Sequence, residues 1–514
     1  MSKPNFNKKQ FLLLAIFTAL LSGCGQATSK VEGTKIHLSD EIITVDGKEI
    51  TNDSTQAVYS ANDIVFYLEG QDFTYGEGTK EDEHSQKEAD AHTVVHITEP
   101  GKYVLSGELS LGQIAVDLGK DAKEDPEAVV TLILNGVDIT CEVAPAVIFY
   151  DVYEPFHDVK EKEATKDVDT SEAGANILIA DDTQNNIQGS YVAKIYKSCE
   201  LNEAGTEIVD SKKLHKYDGA FYSKRTMNMN GGDKGNGILN IKAENEGLNS
   251  EMHLTINGGI INITSGNDGI NTNEDNISVT TINGGSLNVV CDGSTGEGDG
   301  IDSNGWLVIN GGSLTSQACA TSMDAGIDSD KGIYINGGHV MATGNMLDHI
   351  SGGEQTYAVF GFAGKQKDTY TLKNADGNVV GEYAPTNDFT YLIVAGDELI
   401  AGDYTFWQGD TQLTASKAEP MQGGMFQGER PEMPEGEMPE GEWPEIPGGK
   451  GPKGERPEMP DGEVPEGEWM EPPNGMMPPE MMEGNIPTSV ETSTTFTLEK
   501  GGNQFAYISP AVSE

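Results

Sequence analysis

Basic residues are scarce in this sequence: 33 lysines and arginines stand against 83 aspartates and glutamates, a formal charge of −50 over 514 residues. An acidic surface repels phosphate backbones and bare anionic lipid, which argues against nucleic acid and anionic bilayers as partners and makes cations the natural counterpart. Apolar residues are also few, 36%, while glycine reaches 63 copies. That pairing argues against a helical enzyme and suits a turn-rich β protein or a partly disordered one. Cysteine is confined to five positions with no Cys-x-x-Cys pair, so neither a zinc site nor a redox site is indicated. Export permits disulfides, yet Cys141, Cys199, Cys291 and Cys319 are far apart and read first as small buried hydrophobes. After the first 24 residues no run is long and apolar enough to cross a bilayer.

Those first 24 residues read as a targeting segment. Lys3, Lys8 and Lys9 precede an apolar run from Phe11 to Leu21, too short to span a bilayer comfortably. Leu21-Ser22-Gly23-Cys24 matches a bacterial lipobox. Resemblance to lipoproteins implies cleavage before Cys24 and a lipid on its sulfur; the alternative is a plain signal peptide with an incidental cysteine. The expected location is extracytoplasmic, at the cell surface, anchored to the membrane through that lipid.

What the chain has in abundance is repetition. Asn-Gly-Gly occurs at Asn230, Asn257, Asn283, Asn310 and Asn336, spaced by 27, 26, 27 and 26 residues. Met229, Ile256, Ile282, Ile309 and Ile335 precede the triplets, and Ile261, Leu287, Leu314 and Val340 follow the last four at a fixed offset. The local period is two, the mark of strands with one buried face. A second motif keeps step: Glu246-Gly247-Leu248-Asn249, Asp268-Gly269-Ile270-Asn271, Asp299-Gly300-Ile301-Asp302 and Ala325-Gly326-Ile327-Asp328. A unit this short cannot bury its own apolar face, but stacked units can, each strand pairing with its equivalent one coil away. A propeller blade needs about 40 residues per repeat, so the shorter period points to an all-β solenoid, a right-handed parallel β-helix.

Around the repeat the expected organisation is a signal peptide over 1–24, a tether and N-terminal β region over 25–92, and the β-helix over 93–350. A small antiparallel β cap follows over 351–420. Within 25–92, Ile64 to Tyr67 look strand-like and 76–92 reads as an acidic, His-containing loop. Residues 421–487 hold near copies, Gly428 to Trp443 and Gly454 to Trp469, rich in Pro, Glu and Gly. Such composition favours disorder. Residues 488–514 return to strand character and are expected to pair with the cap.

The Asn-Gly-Gly and Asp-Gly-Ile-Asp repeats, with Gly101-Lys-Tyr-Val-Leu-Ser-Gly107 and Leu132-Ile-Leu-Asn-Gly-Val-Asp138, resemble a family of clostridial carbohydrate-binding β-helix proteins with a polysaccharide-lyase-like fold. The similarity runs from about residue 36 to 420 and includes the final strands. It implies a parallel β-helix, bound calcium, and binding of cellulose-like or acidic plant polysaccharide without established catalysis. The sequence departs from the pattern in the long insertion at 151–217, in the Pro-Glu tract, and at Ala325, which stands where the motif has its first Asp.

Stacked coils lie about 4.8 Å apart, and two unpaired carboxylates at that distance repel by about 3.5 kcal/mol at an effective dielectric near 20. A cation removes the cost, and calcium takes about six to eight oxygens of the kind Asp, Asn and turn carbonyls offer. The candidate ligands are Asp268, Asn271, Asp299, Asp302, Asp324, Asp328 and Asp330; the bland alternative is a solvated turn where Asp and Asn favour the backbone. The asparagine column itself reads as structural. Sugar faces need apolar platforms and acidic sugars need cations, so Tyr217, Tyr222, Lys224, Arg225 and Trp306 are candidate exposed contacts, though each such residue is more often ordinary surface or core. A uronic acid would bind such an acidic chain through calcium.

No catalytic residue is assigned. A lyase acting on uronic-acid polymers is the enzymatic alternative: it needs a basic group near the carboxylates, and Lys331 and Lys234 lie in the right part of the chain without a motif to mark them. A glycosidase pair cannot be chosen among so many acids. The nine histidines show no metal-ligand spacing, and His84, His92 and His96 read as loop and strand residues. A structural or adhesive surface protein is a third class, with the Pro-Glu tract and its Trp443 and Trp469 contacting cell wall or protein.

Overall fold

The computed structural model describes residues 32–364, 366–418 and 492–510. The leader with Cys24 and the tract at 421–487 lie outside them. Three parallel sheets wind along the repeat. In one coil, strand Leu254–Ile256 lies on the first sheet, Ile260–Ser265 on the second and Ile270–Thr272 on the third. The next coil repeats this with Val279–Ile282, Ser286–Cys291 and Ile301–Ser303. Equivalent strands pair in register, with Ile256 beside Ile282, Ile263 beside Val289 and Asn271 beside Asp302.

The period-two pattern decides which side chains face in. Ile256, Ile282, Ile309 and Ile335 stack inside the first sheet, Ile261, Leu287, Leu314 and Val340 inside the second, and Leu248, Ile270, Ile301 and Ile327 inside the third, all buried. Each such side chain contributes roughly 1.5–3 kcal/mol of transfer free energy. The Asn-Gly-Gly triplet turns the chain between the first two sheets. Its last glycine sits at φ of +92°, +86°, +81° and +90° at Gly259, Gly285, Gly312 and Gly338, where any other residue would be strained. The asparagines form a ladder: each Nδ2 donates to the Oδ1 one coil earlier, at 2.9, 2.9, 2.9 and 2.8 Å from Asn257 to Asn336.

The insertion expected at 151–217 is two separate segments, because Ala175–Ile179 and Gln184–Gly189 between them pair in parallel with Val130–Thr140 and belong to the helix. Residues 151–174 lie over the first sheet, where Thr170 donates to Asn228 Oδ1 at 2.7 Å and Lys166 sits over the Tyr334 ring. An antiparallel hairpin, Val192–Leu201 with Ile208–Tyr217, packs against the third sheet and against the loop near Gly76. At the far end, strand Tyr391–Ala395 runs antiparallel to His339–Gly344 and begins a cap built on Phe360, Phe406, Phe496 and Phe505. Gly502–Pro510 joins this cap beside Tyr357–Phe362.

Two local expectations fail in the N-terminal region. Ile64 to Tyr67 join no ladder, although Ile64 and Tyr67 are buried by packing. Within the expected loop at 76–92 lies a short helix, Gln86–Asp90, because Ser85 and Glu88 form a reciprocal capping box. His92 is buried rather than solvated: its Nδ1 lies 2.8 Å from the Glu88 carbonyl, and its Nε2 accepts from the Glu142 amide at 3.1 Å.

Candidate functional site

The second motif places its first residue, a carboxyl in three of the four coils, at the corner between the second and third sheets. Amide-to-carbonyl bonds from Gly247 to Asp268, Gly269 to Asp299 and Gly300 to Ala325 show that Glu246, Asp268, Asp299 and Ala325 occupy one column. Glycine follows each because the coils touch there: a Cβ on Gly269 would stand 2.0 Å from Val289 Cγ1 and 2.6 Å from the Gly300 carbonyl. A second column, three residues on, carries Asn249, Asn271 and Asp302 in strand register. The amide of Asp328 donates to the Ile301 carbonyl at 2.7 Å, which sets Asp328 in the following coil.

These groups face one another and are largely buried. Burial, then the charge of Asp299, drives the Asp268 carboxyl well above its ordinary range. Burial, then Asp328, pushes Asp299 up to about 8. Burial, then Asp328 and Asp330, pushes Asp302 up to about 7. Burial also raises Asp328 and Asp330, and, with Asp328 beside it, lifts Asp348 to about 7. Each is the signature of carboxylates that lack compensating charge.

Hydrogen bonds orient the column without neutralising it. Asp268 Oδ1 accepts from the Asp299 amide at 2.8 Å, and Asp299 Oδ1 from the Ala325 amide at 2.6 Å. Asn271 Nδ2 donates to Glu246 Oε1 at 3.1 Å and Asp268 Oδ2 at 3.4 Å, which leaves its buried Oδ1 with no partner. An all-oxygen set of carboxylates and a free amide oxygen fits a hard cation such as calcium rather than zinc. Among the described residues no group of three or more His, Cys, Asp or Glu side chains forms a ready metal cage. The arrangement is a column rather than a closed shell.

The sequence candidates separate accordingly. Asp268, Asn271, Asp299, Asp302 and Asp328 come together. Asp324 lies at the edge, its Oδ2 accepting from the Gly298 amide at 2.6 Å, and Asp330 is exposed. Ala325 fills the motif's first position in the last coil, while Asp324, one residue earlier, turns its carboxyl to Gly298. Three members were missed. Glu246 belongs to the quoted motif but does not stand among the sequence candidates. Asp218 lies one residue out of the motif's register, since Gly219 pairs with Glu246, and its carboxyl is held above its ordinary range by burial even beside Lys216 at 2.8 Å. Asp348 carries no motif.

The exposed sugar contacts are corrected in part. Tyr217 and Tyr222 are buried, because the hairpin folds Tyr217 against the third sheet with its ring 4.9 Å from that of Tyr222. Their hydroxyls are engaged by His215 at 2.6 Å and Glu251 at 2.8 Å. Lys224 and Arg225 both pair with Asp151, at 3.1 and 2.5 Å. Trp306 is half-buried on the first sheet. Lys331 lies 3.9 Å from Glu161 and Lys234 2.5 Å from Asp182. Cys141, Cys291 and Cys319 are buried, Cys199 is half-buried, and all four are free.

A family model described as "Carbohydrate-binding domain-containing protein" matches residues 91–417. No curated protein matches the chain. A solved structure described as the polysaccharide lyase-like protein from C. thermocellum, gadolinium derivative, covers 63% of this chain and 93% of its own at 18% identity, with a TM-score of 0.33.

Proposed function

The chain belongs to the family of carbohydrate-binding domain-containing proteins, and from that premise we propose that it binds cellulose-like or acidic polysaccharide outside the cytoplasm, with calcium and without catalysis. The observation that carries the reading is the buried column of mutually repelling carboxyls beside the unpartnered Asn271 Oδ1. Asp268, Asn271, Asp299 and Asp302 are the residues that would hold the ion, with Glu246 and Asp328 at the neighbouring coils. Bound there, calcium supplies the positive charge and the open coordination that a sugar carboxylate requires.

The chain's own groups do the rest. Main-chain amides of Asp299 and Ala325 fix the carboxyls of Asp268 and Asp299 in direction. The strand register holds Asn271 and Asp302 on the outer side of the third sheet, one coil apart. Burial keeps competing water low, so the ionised carboxylates gain more from a cation than exposed ones would. The lipobox at Cys24 supports anchoring at the cell surface, and the tract at 421–487 would act as a wall-facing spacer.

Retention on pectin gel tests this reading. The purified chain should be retained with calcium and released by EDTA, with no rise in ultraviolet absorbance from unsaturated uronide products. Retention that ignores EDTA would remove the calcium. Product release would replace binding with lyase activity.

A further inference from the structure

The hairpin Val192–Leu201 with Ile208–Tyr217 has two outer edges, and the body covers one of them. On the first strand, the Tyr196 amide donates to the Tyr75 carbonyl and the Lys194 carbonyl accepts from the Glu77 amide, both at 2.8 Å. Among the described residues the second strand pairs with the first alone. Its other edge therefore presents a row of backbone N–H and C=O groups over Ile208–Tyr217 with no strand beside it. The body meets this strand through side chains at its base: Lys213 lies 3.6 Å from Glu251, Lys216 lies 2.8 Å from Asp218, and the Tyr217 ring packs on Tyr222.

Lysines on an exposed edge ordinarily blunt it against other strands, and Lys212, Lys213 and Lys216 fill the second half of this one. The first half has the opposite character. Glu207 precedes the strand, and Ile208, Val209 and Asp210 open it. The strand thus runs from acidic and apolar to basic. Val209 and Leu214 are 64% and 49% exposed, and Asp210 and Lys212, both exposed, form no ion pair among the described residues. Solvated side chains ordered by charge along an open edge select the strand that lies against it.

A strand of this polarity is complementary to a second copy of itself laid antiparallel. With the two-fold axis at Ser211, Asp210 stands opposite Lys212, Val209 opposite Lys213 and Ile208 opposite Leu214, each pair formed twice. Opposed side chains lie about 4.5–5.5 Å apart. Each Asp210 carboxylate then meets an ammonium, Leu214 gains apolar cover, and the Lys213 stem lies along Val209. The neighbouring symmetric registers fail. An axis at Asp210 sets two carboxylates against each other and an axis at Lys212 two ammonium groups, both destabilising. The lysines therefore exclude other strands and admit this one. We infer that the chain forms a two-fold dimer through the free edge of Ile208–Tyr217, the two hairpins joining into one four-stranded antiparallel sheet. Each patch is its own partner, as closed two-fold symmetry requires. None of the paired residues belongs to the carboxylate column, so the dimer rests on neither calcium nor glycan.

Sedimentation equilibrium of the purified Cys24→Ala chain in EDTA tests it, since this excludes clustering through lipid and bridging by calcium. The chain should sediment as a monomer–dimer equilibrium. Asp210→Lys alone, or Lys212→Asp alone, sets like charges opposite each other at two places and should weaken the dimer roughly tenfold or more. The two substitutions together return opposite charges to the pair and should restore the dimer. Both positions are exposed, and unchanged melting curves of the dilute monomer serve as the fold control. A chain that stays monomeric up to its solubility limit overturns the inference. So does a dimer indifferent to either single substitution, or a double variant that stays as weak as the singles.

Discussion

Asp302 carries a carboxyl that burial and the charges of Asp328 and Asp330 push up to about 7, and burial with Asp328 pushes Asp299 and Asp348 up to about 8 and 7. Their folded values lie above the unfolded one, so the folded chain holds protons there that the unfolded chain has lost. Stability from these groups is full below pH 4 and is lost as pH rises through 7 to 8. His253 works in the opposite sense. Burial lowers it to about 4, so its neutral form favours the fold above that value, and its contribution is complete by about pH 6.5. Melting scans in EDTA between pH 6.5 and 8.5 therefore isolate the carboxyls. The melting temperature should fall across that window, and Asp299→Asn with Asp302→Asn should flatten the fall while weakening calcium roughly tenfold or more. A fall of wild-type size in the double variant would assign the pH dependence to other groups.

The coil is the element on which the carboxylate column depends, and much of it was legible in the sequence. The spacing of Asn-Gly-Gly set the strand register, and the offset isoleucines and leucines marked the inward face. The same reading placed Asp268, Asn271, Asp299 and Asp302 within reach of one another. Segments outside the repeat were not legible in this way. Tyr217 and Tyr222 looked available because nothing periodic announces the hairpin Val192–Leu201 with Ile208–Tyr217, whose burial of these rings is a tertiary contact. Within the coil the two repeated columns differ in weight. Ile282→Ala removes a buried side chain and should cost about 3 kcal/mol. Asn283→Ala breaks two exposed ladder bonds and should cost about 1 kcal/mol. Urea unfolding of the two variants measures both, and an equal cost would mean that the ladder, not the interior, sets coil stability.

At the scale of the whole chain the net formal charge is −50, and that charge shapes how it meets a glycan. Uronate polymers share its sign and need a cation between the two. Neutral polymers need none. Membrane attachment is separable from the carboxylate column. Cys24→Ala should move the chain from the membrane pellet to the soluble fraction without altering glycan retention, and a variant that stays in the pellet would argue against the lipid. The central claim concerns the carboxylate column, and calcium titration of the EDTA-stripped chain at pH 8 addresses it most directly. The account predicts heat of binding, proton release on binding, and a rise in melting temperature of about 3 °C at a hundredfold excess over Kd, from roughly 2.7 kcal/mol of linkage. No heat and no shift in melting at pH 8 would contradict it.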